Sequence, residues 1–449
     1  MSDCTSQTSS AVSSPTCRAL LTAVAIWLLI TLMLLGYYSA RGWLTGPPSS
    51  SGDEIGYDSL GWELAGGRGY QVDLTRRDFI RPYAEAHPDA VPPDWTAKPD
   101  VKRPPVFPAL IALSNFAADR QFWIMRVLNT CCISAVGAVV ATYFFRRDGL
   151  IAVVVFVLTF LVLDVRVRLY GRTLLTEPLS ALFGCVLLIL LLRVRKGKVL
   201  APAALAGAVF GVAMLTRLAC ILWLPGIAAL IYLIAWQAGA GVRRSFAGAA
   251  VVGLIAVMVF APWAVRNCFV TGRFMPAGVH GLHDLPTGYS DLAWKHQGVW
   301  QNPYVAGFYQ NISADNFIET EVLKAEHGRR IALNWITAHL VKTIALMPLK
   351  IWQEVRPRSV AEATLALFML IGIAASYRER IAWIALALLA IELGVVAITW
   401  SVEGRFRLPL LIVEQGFAVA GALWFTKMLL RGYPNKVVEC GQCGRHPDS

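Results

Sequence analysis

An all-α integral membrane protein is the fold class this sequence predicts, on three observations. Apolar residues make up 56% of the chain and charged ones 16%, with a mean hydropathy of +0.54, whereas soluble domains carry about 25% charged residues. Long apolar runs recur along most of the chain, and roughly 17–25 such residues cross a hydrocarbon core as a helix. Since that core offers no water to an unpaired backbone group, the spans must satisfy their own hydrogen bonds, which a helix does.

The first run, 19–40, follows a Ser/Thr-rich leader, 1–18, whose only basic residue is Arg18. It exceeds the ~7–15-residue apolar stretch of a signal peptide and reads as an uncleaved anchor. Further runs lie at 121–144, 149–164, 178–192, 199–215, 218–236, 246–264, 361–376, 382–399 and 408–426, for about ten transmembrane helices in all. Arg146-Arg147, the basic cluster 193–198 and Arg243-Arg244 fall in alternate loops. The positive-inside rule assigns these to the cytoplasm, with the leader and the tail 427–449. Two long polar intervals, 41–120 and 265–330, are then external loops on one membrane face.

The net charge of +12 lies in short flanks beside apolar runs rather than in one stripe. Such flanks orient helices in a bilayer, and nucleic acid is not an expected partner. Nine cysteines are scattered, with Cys268 the one external candidate in a loop. No disulfide scaffold follows.

Loop 41–120 holds eleven of the 29 acidic residues and nine of the 41 basic ones, so chemistry is expected there first. Tyr57, Leu60, Gly61 and Leu64 recur at helical spacing, which predicts a short helix over 54–65 lying on the membrane, stopped by Gly66-Gly67. Residues 108–118 read as a second short helix. Segment 331–352 is long enough to span yet contains His339, Lys342 and Lys350. If it spans, the Arg405-Phe406-Arg407 turn is cytoplasmic; if it lies on the outer surface, that turn is external. The positive-inside rule favours the surface reading.

Asp53-Glu54 opens the first external loop. Asp53 suits an N-cap and also a general base, and the two roles are compatible if one oxygen caps. Thr176-Glu177-Pro178 is a respectable helix start, and Glu177 falls at the same membrane level as Asp53. Arg103, Arg172, Arg217, Arg266, Arg405 and Arg407 are expected at that level too. Singly, each reads as a snorkelling or headgroup-contacting arginine; as a set they have the fork geometry that binds phosphate.

Motifs for nucleotide hydrolysis, zinc peptidases and serine hydrolases are absent. Cys440 and Cys443 with His446 have half the spacing of a zinc site and lack its remaining ligands, so no metal site is assigned. Asn311-Ile312-Ser313 is a sequon where asparagine is glycosylated.

In their order, these motifs resemble the GT-C superfamily of multi-spanning glycosyltransferases, specifically the dolichyl-phosphate-mannose protein mannosyltransferases and bacterial aminoarabinose transferases. The resemblance covers most of 19–426. An acidic pair followed by Tyr is matched by Asp53, Glu54 and Tyr57, and the glycine-rich turn by 66–70. The basic residue before Pro-Pro is matched by Arg103-Pro104-Pro105, the second acidic site by Thr176-Glu177-Pro178 and a Leu-Thr-Arg helix end by Leu215-Thr216-Arg217. Residues 261–267, with Pro262, Trp263, Arg266 and Asn267, are similar to the signature before the late loop. Gly404 to Pro409 resembles an Arg-Tyr-Arg-x-Pro turn, with Phe406 in place of Tyr. Loop 71–101 is longer and more charged than the common bacterial pattern.

The resemblance implies a GT-C-like bundle with interfacial helices in its two external loops. It implies an inverting transfer of a sugar from a polyprenyl-phosphate donor to a hydroxyl on protein, lipid or glycan, at the outer face of a bacterial inner membrane, in cell-envelope glycosylation. Asp53 and Glu177 would be catalytic, with Glu54, Tyr57, Arg103, Arg217, Arg266, Arg405 and Arg407 binding substrate. No cofactor is assigned, though Glu177 could hold a divalent cation. A lipid or sugar transporter, or a polyprenyl-phosphate-binding scaffold, would also combine many helices with membrane-level charges; an alternating-access carrier would place its site nearer the midplane.

Overall fold

The computed structural model describes residues 15–50, 52–86 and 96–431. The first fourteen residues of the leader, and the tail from 432 onward with Cys440, Cys443 and His446, lie outside the described residues.

All ten apolar runs are helical. In chain order the helices are α1 (Pro15–Ala40), α2 (Asp53–Ala65), α3 (Arg77–Ala86), α4 (Val106–Ala118), α5 (Phe122–Asp148) and α6 (Leu150–Phe156), the last continued by a π-helical stretch to Leu163. Next come α7 (Val165–Tyr170), α8 (Glu177–Arg193), α9 (Leu200–Met214), α10 (Leu224–Gln237), preceded by a 3-10 turn from Leu218, and α11 (Val242–Thr271). The second polar interval carries α12 (His280–Gly288), α13 (Asp291–Lys295) and α14 (Phe317–Ala338). Then follow α15 (Leu340–Val355), α16 (Val360–Ser376), α17 (Arg380–Ile398) and α18 (Leu411–Arg431). Six helices are long and apolar enough to cross a membrane alone, beginning at Leu20, Phe122, Leu218, Val242, Arg380 and Leu408. The other four expected spans are the shorter helices α6 with its π extension, α8, α9 and α16.

Packing follows where side chains are small. Gly372 of α16 and Gly421 of α18 face each other so closely that a Cβ on either would strike the opposing backbone, the arrangement by which membrane helices approach without a hydrophobic drive. Gly184 of α8 likewise receives the Pro409 carbonyl. That contact seats the turn before the last span against the helix that starts at Glu177.

The two ends of the bundle are distinct. At one, Lys427 pairs with Asp148, Arg147 with Glu379 at 3.3 Å, and Arg380 donates to the Val194 carbonyl at 2.6 Å, so these basic flanks share an end. The two polar intervals meet at the other. The Val279 N–H donates to the Val101 carbonyl at 3.0 Å, and Trp300 N–H to the Ser401 carbonyl at 2.8 Å. The 400–407 turn therefore sits beside both long loops, as the surface reading of 331–352 requires. That segment is not one straight helix: α14 and α15 meet at 109° next to His339.

Helix α2 forms where expected but does not lie open on a membrane surface. Eight of its thirteen residues are buried, packed beneath α4 and a short antiparallel pair that joins Gln71–Val72 to Lys98–Pro99. Gly61 is the reason α4 fits, since a Cβ there would collide with Ile111. Across the loop, the Arg120 guanidinium pairs with buried Asp58 and lies over the rings of Phe79, Tyr83, Trp62 and Phe122, which fastens α3 to the same layer.

Candidate active site

Asp53 is the first residue of α2 and its side chain makes no capping bond; Gly52 takes the N-cap position. The cap expected of Asp53 is thus replaced by ion pairs. Its carboxylate lies 3.6 Å from Arg103 and 3.2 Å from Arg405. Arg405 also pairs with Glu177, and Glu177 with Arg217 at 2.6 Å. At the far side Arg103 pairs with Asp100 at 3.1 Å. Six side chains from five segments thus form an alternating ladder: Asp100, Arg103, Asp53, Arg405, Glu177, Arg217.

Each rung has a local cause. Arg103 is aimed by Asp100, which accepts from the Lys102 and Arg103 N–H groups at 2.8 and 2.7 Å and so curls the backbone before Pro104. The Arg103 guanidinium crosses α2 at Gly56, 2.5 Å from where a Cβ would stand, and lies over the buried Tyr57 ring. Glu177 stands in the first turn of α8; Thr176, expected as its cap, makes no side-chain capping bond. Arg217 follows the end of α9 and lies over the Phe406 ring, so that ring supports an arginine.

Asp53 is the open member of the ladder. Its side chain is 41% exposed while that of Glu177 is fully covered. Burial in the cleft raises the Asp53 carboxyl, but the charges of Arg103, Arg405 and then His280 outweigh it and hold it below the usual carboxylate range. His280 belongs to α12 and is anchored by buried Asp284 at 3.3 Å, which brings the second loop to the same cleft.

Other expected site residues stand elsewhere. Glu54 is turned away from Asp53 by the helix and accepts from Leu174 N–H at 2.7 Å and Ser49 N–H at 2.8 Å, tying the entrance of the loop to the approach of α8. Arg266 donates to the Asp100 carbonyl at 2.8 Å and stacks over Tyr70 and Trp263. Arg172 stacks on Trp43 at 3.8 Å. Arg407 pairs with Glu414 at 2.7 Å, and Glu414 with Arg166 at 2.6 Å, a separate buried network. The sequence reading missed Asp100 and His280. Asp100 had a local signal, since it lies three residues before Arg103 at the end of a charged loop.

A divalent cation does not fit at Glu177. Both neighbours of its carboxylate are arginines, and among the described residues no three His, Cys, Asp or Glu side chains gather as a ligand set.

No family model matches the chain, and no curated protein matches it. Among solved structures it is similar to that titled "Crystal Structure of ArnT from Cupriavidus metallidurans bound to Undecaprenyl phosphate", at 15% identity and a TM-score of 0.39 over 93% of this chain and 81% of that one. A likeness of that size carries no weight for the site.

Proposed function

We propose that the protein is an inverting GT-C-type glycosyltransferase that moves a sugar from a polyprenyl-phosphate donor to a hydroxyl acceptor at the external face of a cell membrane. The observation that carries the reading is the charge ladder: an open carboxylate flanked by two arginine forks, assembled from residues 53, 103 and 405 at one end of a membrane bundle. The order of motifs along the chain supports the donor class.

The chemistry follows from the rungs. A donor phosphate entering between Arg103 and Arg405 competes with Asp53 for the same guanidinium groups. As those pairs loosen, Asp53 loses the charges that hold its pKa down and becomes a stronger base. The acceptor oxygen then attacks the anomeric carbon from the face opposite the phosphate. Its proton passes to Asp53, the new C–O bond forms, and the bond to the phosphate oxygen breaks with its electron pair on that oxygen. Arg103 and Arg405 stabilise the charge that gathers there, the kind of electrostatic contribution that often dominates catalysis. Glu177 and Arg217 keep Arg405 in place from behind.

Transfer of labelled sugar from polyprenyl-phosphate donors to membrane extracts tests the reading, with wild type and Asp53→Asn compared. General-base loss should cut turnover by about 10²–10⁴. Polyprenyl-phosphate binding should persist or tighten, because the variant frees two arginines. Full transfer by Asp53→Asn at normal abundance rules out the base. Absence of transfer by either protein, with binding intact, returns a binding scaffold.

A further inference from the structure

Glu354 is fully buried near the C-terminal end of α15, and among the described residues no Lys, Arg or His forms an ion pair with it. Its carboxylate is satisfied instead by the turn before the last span. One oxygen accepts from Ser401 Oγ at 2.8 Å and Val402 N–H at 3.0 Å; the other accepts from Phe406 N–H at 2.9 Å. These donors bracket Arg405 on both sides. The turn between them has few bonds of its own, Arg405 N–H to the Val402 carbonyl at 3.4 Å and Glu403 N–H to Ser401 Oγ at 3.1 Å, and Glu403 and Gly404 both have positive φ, 59° and 95°, a region that an L side chain disfavours.

We infer that Glu354 is a positioning residue, a buried carboxylate that gathers the 401–406 turn and thereby sets where Arg405 meets Asp53 and Glu177. The inference rests on the phosphate-binding reading of Arg405 only for its effect on donor affinity. The placement of the turn stands apart from it.

Three features make this more than a buried acid filling a gap. Ser401 is shared with the second loop, donating its N–H to the Gly298 carbonyl at 2.9 Å while its own carbonyl accepts from Trp300, so Glu354 joins α15, that loop and the turn at one point. Arg358, one turn further on, donates to the Glu403 carbonyl at 2.8 Å, restraining the same loop from outside. Among the described residues no other carboxylate receives the turn's N–H groups at 402 and 406. Without Glu354 they face a buried site with no acceptor, a costly state that the turn escapes by moving.

The test uses the full-length protein in detergent and the Glu354→Gln variant, whose amide NH2 must point at one set of donors. Two quantities are read: amide hydrogen exchange across 399–407, and affinity for a polyprenyl monophosphate in wild type, Glu354→Gln, Arg405→Lys and the double variant. The expected result is faster exchange confined to 399–407, about a tenfold loss of affinity in each single variant, and no further loss in the double variant, since both changes act through one guanidinium. Unchanged exchange overturns the inference. So does wild-type affinity in Glu354→Gln beside a weakened Arg405→Lys, or losses that simply multiply. If Arg405→Lys binds like wild type while exchange still quickens at 399–407, the phosphate reading fails and the positioning of the turn stands. Should Glu354→Gln not accumulate, Ser401→Ala removes one of the three donors and is read by the same two measurements, with the same outcomes.

Discussion

Gly56 shows how a residue without a side chain controls one with a charge. The Arg103 guanidinium lies across α2 where a Cβ would stand, and it is the flexible end of a side chain rather than backbone, so Gly56→Ala should be met by movement of Arg103. Helix propensity favours Ala over Gly by up to ~1 kcal/mol, and the fold should therefore keep its thermal stability. Donor binding should weaken by roughly tenfold, the loss expected when one charge-assisted bond is misplaced. Equal loss of stability and binding in a thermal-shift and ligand-titration pair would show that the site and the helix cannot be separated. Arg405 and Arg407 offer a second contrast, because two arginines two residues apart diverge to Glu177 and Glu414. Lys keeps the charge of either and loses the fork. Arg405→Lys should weaken polyprenyl-phosphate binding about tenfold, and Arg407→Lys should leave it within about twofold, as measured by titration of the purified variants. The sequence offers no means of telling these two apart: both flank Phe406, and only the fall of the chain into the 3-10 turn at Leu408–Leu410 sends them in different directions. Glu54 and Asp53 were equally alike as sequence, and about 100° of helical rotation separates their partners.

At the scale of elements, the second loop is fastened to the first by Glu321 of α14. It pairs with Lys102 at 2.5 Å and Lys324 at 3.0 Å, and Tyr304 lies between, its hydroxyl 2.7 Å from Lys102. Burial raises the Glu321 carboxyl, yet Lys102 and Lys324 more than offset it and bring it down to about 2 from an ordinary 4.5. A depressed carboxyl contributes stability above its unfolded value and loses it as pH falls through the folded one. The clasp is thus at full strength above about pH 5 and fades between roughly 4.5 and 2. Glu321→Gln should be less stable than wild type at pH 7, by up to ~3 kcal/mol, and the gap should close steadily as pH is lowered below 4.5. Thermal unfolding across that range measures it, and a gap that widened in acid would reverse the sign assigned here. Element by element the sequence was legible where periodicity or run length spoke, since all ten apolar runs and the short helices at 53–65 and 106–118 are present. It was silent about what covers α2, because the apolar stripe of a helix says that it is buried and not by which partner. Glu354 was hidden for a like reason: in the sequence it is one polar residue just beyond an ambiguous run.

For the whole molecule, the shared end of the two loops and the 400–407 turn gives a topological expectation. Glu403, 48% exposed in its side chain, and Val305, 84% exposed, stand at that end, while Arg146 marks the opposite one. Cysteines placed at 403 and 305 should react together with a membrane-impermeant thiol reagent applied from outside. A cysteine at 146 should react only once the cytoplasmic face is opened. Labelling is read against wild type because native cysteines such as Cys268 are free. Reaction of 403 and 305 from different faces would break the geometry of the site, and reaction of both from the cytoplasm would keep the geometry and move the proposed chemistry inside.

The ladder also dictates an order of biogenesis. Arg103, Asp53, Glu177 and Arg217 all leave the ribosome well before residue 405, so a nascent chain already threaded into the bilayer through α17 holds Glu177 with one of its two arginine partners and Asp53 with one of its own. Arrival of the last span completes both at once. A chain arrested before that point carries an acid at the membrane boundary short of its counter-charge.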